Sequence, residues 1–150
     1  MLLVSACQTL FAQSIQKDSV QLPPLEVRAI RASERAPFAK QNLSKTDIQK
    51  NNLGPDLPFL LNQTPSVVVQ SDAGNGIGYT GIRIRGTDAT RINVTINGVA
   101  YNDAESMGTF LVNLPDFASS VSSIQIQRGV GSSSNGPSAF GAKAQCEKRL

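Results

Sequence analysis

Two alternating arginines, Arg83 and Arg85, sit on an isoleucine-rich run that ends at Gly86, a spacing able to grip an anion. Guanidinium pairs of this kind hold phosphate or carboxylate in a dry site, and form the solvated face of a strand in a wet one. Asp103 and Glu105 offer two carboxylates, the raw material of glycoside hydrolysis, but alternate residues of one loop do not flank a bond from two sides. Gly76, Gly78 and Gly81 fit the G-x-G-x-x-G dinucleotide pattern. That pattern needs a helix start behind it to hold the pyrophosphate, and here it runs into the strand-like residues 82–85. It reads as a flexible loop.

The remaining chemistry is sparse. There is no histidine, and the two cysteines, Cys7 and Cys146, stand at opposite ends. Zinc sites, histidine-based triads and a disulfide framework are therefore not indicated. The net charge of +3 comes mostly from the end: residues 143–150 carry Lys143, Lys148 and Arg149 against Glu147, a surplus of two, which leaves +1 for the rest. No basic run or cluster of stacking aromatics accompanies it, so nucleic acid is not an expected partner. The expectation is a protein that is not an enzyme and carries no cofactor.

These residues must be positioned by a small fold. At 150 residues, 40% hydrophobic and 17% charged, the chain has room for one domain with a core of Leu, Ile and Val. Ser44 and Asp47 have a capping-box spacing that starts a short helix, stopped by Gly54-Pro55. Asp56 is the expected cap of a second helix whose Leu57, Leu60 and Leu61 share a face, with Pro58 tolerated in its first turn. Strand patterns follow at Val67–Val69, at Ile82 and Ile84, at Ile92, Val94 and Ile96, and at Ile124 and Ile126. Asn97-Gly98 is a hairpin turn, because both positions accept positive φ. Pro115-Asp116 open a short helical turn. The sum is α+β: a mixed sheet of about four strands, two short helices and long loops.

The first 36 residues read differently. Residues 1–12 are uncharged and mostly apolar, like the end of a secretory signal with Ala12 before the cleavage point, although a basic start is missing. Only six residues precede Cys7, so a lipoprotein anchor is not expected. Residues 13–36 are polar, and Pro23-Pro24 favours an extended backbone with free donors and acceptors, suited to pairing with another protein's sheet edge. No stretch approaches the roughly 20 apolar residues of a membrane-spanning helix.

Residues 37–142 resemble the plug domain of TonB-dependent outer-membrane receptors. The resemblance is carried by Leu60-Leu61-Asn62-Gln63-Thr64-Pro65-Ser66-Val67, by Ile82-Arg83-Ile84-Arg85-Gly86, and by Val94-Thr95-Ile96-Asn97-Gly98-Val99, where the family commonly has Asp at the Asn97 place. The last mark is Val121 to Gly129, leading to Asn135-Gly136 and Ala139-Phe140-Gly141-Ala142. Four marks in order are specific where one alone is weak.

The resemblance implies roles. Leu22, Pro23, Pro24, Leu25, Glu26, Val27, Arg28 and Ala29 lie where the family carries its TonB box, the segment captured by the periplasmic energy transducer. Pro23, Pro24 and Arg28 are not the usual residues there. Arg83, Arg85, Gly86, Asn97, Gly98, Arg128 and Gly129 become motif residues that dock the plug against its barrel. Substrate contact falls to the loops 72–80, 87–91 and 100–110, with Asn75, Tyr79, Thr87, Asp88, Tyr101, Asn102 and Asp103 as candidates. The implied ligand is a scarce nutrient such as an iron–siderophore complex, with cobalamin, haem and glycans as alternatives. The implied place is the outer membrane within a whole receptor, or the periplasm for a fragment exported alone.

Residues 143–150 depart from the family pattern: they are charged where the family continues into a strand entering the barrel. They read as an aberrant tail. A barrel of about 22 strands needs several hundred residues more than are present. The expectation is a truncated receptor, from a broken or incomplete gene, that does not transport alone. The alternative is a free periplasmic module or decoy that engages the transducer without a channel.

Overall fold

The computed structural model describes residues 31–130, 136 and 138–148; the leader 1–12 and residues 22–29 lie outside the described residues. Helix α1 (Lys45–Asn51) starts as its sequence dictates. The Ser44 hydroxyl accepts from the Asp47 N–H at 3.4 Å, and the Asp47 carboxylate accepts from the Ser44 N–H at 3.1 Å. Those Ser44 hydrogen bonds hold the Asp47 carboxyl below its usual pKa. The helix buries Ile48. Helix α2 (Leu57–Leu60) buries Leu57, Pro58 and Leu60, and helix α3 (Phe117–Ser120) follows Asp116, whose φ of 50° turns the chain into it.

Among the described residues there are seven strands, where about four were expected. Strands β2 (Val67–Ser71) and β3 (Thr80–Ile84) form a separate antiparallel hairpin with Val67 opposite Ile84. The main sheet has the order β1-β6-β7-β4-β5, from β1 (Lys40–Ser44), β4 (Ile92–Ile96), β5 (Val99–Ala100), β6 (Val121–Arg128) and β7 (Ala142–Lys148). Only the β4–β7 pair is parallel, so the sheet is mixed and the α+β class stands. Asn97 (φ 49°) and Gly98 (φ 83°) make the two-residue turn between β4 and β5, both with the positive φ such a turn demands.

Residues 143–148, expected to belong to an aberrant tail, are not a stray end in this fold. They belong to a central strand, paired with β6 on one side and β4 on the other. Its sequence alternates Ala142, Ala144 and Cys146 with Lys143, Gln145 and Glu147, a period of two that places the small residues toward the core. Composition hides this strand, because it has no β-branched or aromatic residue.

The apolar face of the sheet carries Leu43, Ile92, Val94, Ile124, Ile126 and Cys146, all buried in one cluster with Ile48, Leu57, Leu60, Leu61, Ile82, Ile84 and Ala118. The opposite face is polar and also buried: Gln125, Gln127, Lys143, Gln145, Glu147, Asn93 and Thr95. Polar groups withdrawn from water must find partners or lose stability. Lys143 is 1% exposed, and burial lowers its pKa.

Cys146 is also 1% exposed, and burial pushes its thiol up from 9.0 to about 12. The native thiol therefore stays protonated and unreactive near neutral pH, so labelling reports opening of the sheet. Above pH 9 the unfolded chain ionises at this residue while the native chain does not until about 12. Stability should fall across that window, by up to about 1.4 kcal/mol per pH unit from this one group. Cys146→Ala should show a shallower fall when urea midpoints are compared at pH 9 and 11. Equal slopes in the two proteins would mean the thiol is not buried as described.

Candidate functional site

The three loops 72–80, 87–91 and 100–110 converge on one open cleft of about 220 Å³. Asp72 and Tyr79 line it from the first loop, Ala89 from the second, and Thr109 and Phe110 from the third, with Gln70 of β2 on the wall. Tyr79 is 70% exposed and Phe110 50%, so both ring faces are accessible at the cleft. Carboxylate, amide, hydroxyl and two ring faces make an amphipathic lining.

Each loop is held in shape by buried or local hydrogen bonds. The first is tied by Asp56, a buried residue that takes the expected N-cap position of α2 but whose side chain makes no cap bond to it. Its carboxylate instead accepts from the Gly78 N–H and the Thr80 hydroxyl, both at 3.0 Å. Its own N–H donates to the Gly76 carbonyl at 2.8 Å. Gly76 has φ of 80°, and a Cβ there would sit 3.1 Å from the Pro55 Cβ, so the glycine lets the loop lie against α2. Position 76 matters as backbone, not as a dinucleotide signature.

Most of the candidate polar residues are committed within the fold. Asn75 accepts from the Ile77 N–H at 3.0 Å. Thr87 donates to the Ile84 carbonyl at 2.7 Å. Asp88 caps a short 3-10 turn (Ala89–Arg91), and its carboxyl is held below the usual pKa first by the Thr90 hydroxyl. Asp103 accepts from the Glu105 and Ser106 N–H groups, and the Ser106 backbone bond is the main reason its pKa is lowered. It is a turn-former rather than half of a catalytic pair.

Asn102 is the most committed of all. Its Oδ1 accepts from the Val94 N–H at 2.8 Å, while its Nδ2 donates to the Ile92 and Met107 carbonyls, each at 2.9 Å. The side-chain amide thus takes the place of a neighbouring strand along β4, where β5 is only two residues long. Tyr101 packs partly against the core rather than standing free, and its hydroxyl donates to the Phe110 carbonyl at 3.0 Å. It positions the third loop. Of the seven candidates, Tyr79 alone is among the residues lining this cleft. Gln70 and Thr109 line it too, and nothing in their local sequence marks them out.

The motif arginines divide. Ile84 ends β3, and Arg85 (φ 53°) with Gly86 (φ 77°) forms a two-residue turn closed by the Ile84–Thr87 bridge. Arg83 and Arg85 therefore do not continue one strand face, as their spacing alone suggested. Arg85 lies over Gly129, where an added Cβ would be 2.6 Å from its Nη1. Arg128 donates to the Pro65 carbonyl at 3.2 Å. Asn97 is exposed, and its side chain accepts from the Lys148 N–H at 2.7 Å. Arg85, Gly86, Arg128 and Gly129 thus meet at one corner, while Asn97-Gly98 turns the chain between β4 and β5.

Among the described residues no three His, Cys, Asp or Glu side chains converge, and no helix is long and apolar enough to cross a membrane. Residues 32–143 match the family profile described as TonB-dependent Receptor Plug Domain. No curated protein matches the chain by sequence. Among solved structures, the ferric yersiniabactin uptake receptor FyuA from Yersinia pestis is similar at 14% identity and a TM-score of 0.53, over 75% of this chain and 17% of that one. A variant of the ferric enterobactin receptor PfeA from Pseudomonas aeruginosa is similar at 21% identity and 0.57, over 77% and 18%. The copper transporter OprC is similar at 16% identity and 0.59, over 80% and 18%. The chain spans less than a fifth of each of these proteins, and the likeness is one of fold.

Proposed function

We infer the function of this chain from the family it belongs to, the TonB-dependent receptor plug domains, which are parts of receptors and transporters rather than enzymes. The chain is the plug portion of an outer-membrane receptor for energy-coupled uptake of a scarce nutrient. An iron–siderophore complex is the favoured cargo. The observation that carries this reading is the convergence of three loops on a cleft lined by Tyr79, Phe110 and Asp72. Siderophore complexes present flat, hydrogen-bonding, partly apolar surfaces, and a lining of ring faces with a few polar groups suits them. The neighbours' own names, which include a copper transporter, keep the metal open.

Within a whole receptor, Arg83, Arg85 and Arg128 dock the plug on carboxylates of the barrel wall. Residues 22–29 pair as an added strand with the transducer, the source of energy. The plug alone moves nothing across a membrane. The second reading, a free periplasmic module or decoy that engages the transducer, uses the same segment without the barrel.

The test is direct binding. A peptide of residues 21–30, and separately the intact chain, should bind the C-terminal domain of the energy transducer from the same organism. Leu25→Pro removes a backbone donor and should weaken both. Binding by neither the peptide nor the chain would end the assignment of residues 22–29.

A further inference from the structure

The cleft has two unlike sides. The hairpin β2–β3 lines it with Gln70, Asp72, Tyr79, Thr80 and Gly81. Gln70 and Gly81 are register partners, and the Asp72 N–H donates to the Tyr79 carbonyl at 3.1 Å. Alternation along the paired strands therefore turns Gln70, Asp72 and Tyr79 to one face. The rest of the lining, apart from Thr109, is apolar: Ala89, Phe110, Leu111 and Val112.

The polar groups of the hairpin face are uncommitted, unlike those of the other two loops. Among the described residues, the Gln70 amide, the Asp72 carboxylate and the Tyr79 hydroxyl make no hydrogen bond or ion pair within the fold. Thr80 also borders the cleft, but its hydroxyl donates to Asp56. Gln70 lies across Gly81, where an added Cβ would be 2.9 Å from its Nε2 and 3.0 Å from its Cγ. The missing side chain at position 81 thus makes room for the amide of residue 70. Asp72 is the one charged residue of the lining, and no lysine or arginine joins it. Arg83, the next residue along this face of β3, lies outside the lining.

A carboxylate only accepts hydrogen bonds, whereas an amide and a phenol both donate and accept. A ligand edge carrying N–H or O–H donors satisfies all three groups. A polyanion instead sets like charge against Asp72, with no lining cation to offset the repulsion. We propose that Gln70 and Asp72 are the selecting residues of this cleft. It takes an uncharged or cationic, donor-bearing edge on the hairpin side, with an apolar part against Phe110 and Leu111, and it disfavours polyanionic complexes. This rests on the reading of the cleft as the contact surface for an iron–siderophore complex, and it divides that class by charge. Three singly charged hydroxamates neutralise ferric iron, while three doubly charged catecholates leave the complex trebly negative.

The experiment titrates the full chain with gallium(III) complexes, which keep the ferric charge without unpaired electrons, and follows the Gly81 and Thr109 amides by NMR, with Ile126 as reference. The probes are the tris-acetohydroxamate, neutral with N–H donors, its N-methylated form, neutral without them, and the tris-catecholate. The acetohydroxamate should bind at least about tenfold more tightly than the catecholate, with the N-methylated complex between them. Asp72→Asn should shrink the preference for the neutral complex over the anionic one. Gln70→Ala, and Gly81→Ala by displacing the Gln70 amide, should weaken acetohydroxamate binding several-fold. Urea midpoints of Asp72→Asn and Gln70→Ala should match the parent, because neither side chain bonds within the fold. If Gly81→Ala lowers its midpoint, Gln70→Ala carries the comparison. Equal affinity for the neutral and anionic complexes, or a preference that Asp72→Asn leaves intact, overturns the selection while the cleft reading stands. If none of the three complexes moves the Gly81 and Thr109 amides, the cleft reading falls and the selection with it.

Discussion

Gly141→Ala should be among the most damaging single substitutions in this chain, costing about 3 kcal/mol, the upper end of what overpacking costs. A Cβ at this position would sit 2.7 Å from the Thr87 Cβ and still closer to its hydroxyl oxygen. Neither side can yield. Gly141 donates to the Arg91 carbonyl at 2.8 Å and accepts from the Gly129 N–H at 2.7 Å, so its backbone is pinned where β6 ends and β7 begins. Thr87 is pinned by its hydroxyl on Ile84 and by the bridge between the two residues. Thermal melting should fall by on the order of 10 °C for a domain of this size. Adding Thr87→Gly, which removes every side-chain atom in the way, should recover much of the loss, a coupling that a double-mutant cycle reads directly. Gly74→Ala is the contrast: it meets nothing within 4 Å and bears only the strain of φ 74°. If both substitutions melt alike, the crowding against Thr87 is relieved by a small shift and does not set the cost at position 141.

Asn102→Ala should cost about 2–3 kcal/mol, because it orphans the Val94 N–H and the Ile92 carbonyl on the side of β4 away from β7, beyond the reach of the two-residue β5. Asn102→Asp should be at least as harmful. The added oxygen would face carbonyls where the amide now donates to Ile92 and Met107. Urea unfolding of the isolated chain checks this without any ligand. Unchanged midpoints would return Asn102 to the ligand-binding role that its place on an outward loop first suggested.

These two residues show where the sequence was readable. The capping box at Ser44 and Asp47, the isoleucine alternations and the Asn97-Gly98 turn are local signals, each settled by atoms within a few residues, and each forms as read. Strand β7 was not readable. Its small residues reach the core only because Ile124 and Ile126 on one side and Ile92 and Val94 on the other supply the bulk. Asp56 was legible as a helix cap, yet the glycine-rich loop offers it better donors, and a tertiary contact displaced the local one.

The candidate site divides the same way. That three loops carry hydroxyls, amides and tyrosines is written in the chain, and so is the ordered set of marks that places it in its family. Which of those groups remain available is a matter of geometry. Asn102, Asp103, Thr87 and Asp88 satisfy backbone groups, and Tyr79 stands in the cleft beside Gln70 and Thr109. The sequence by itself determined the class of fold, the turns and the face each strand turns inward, because these follow from periodicity and from φ preferences of single residues. Only the tertiary structure decided which polar side chains are spent inside. A hydrogen-bonding group cannot tell a ligand from a stranded backbone amide until the strands are paired, and unpaired backbone claims its partner first.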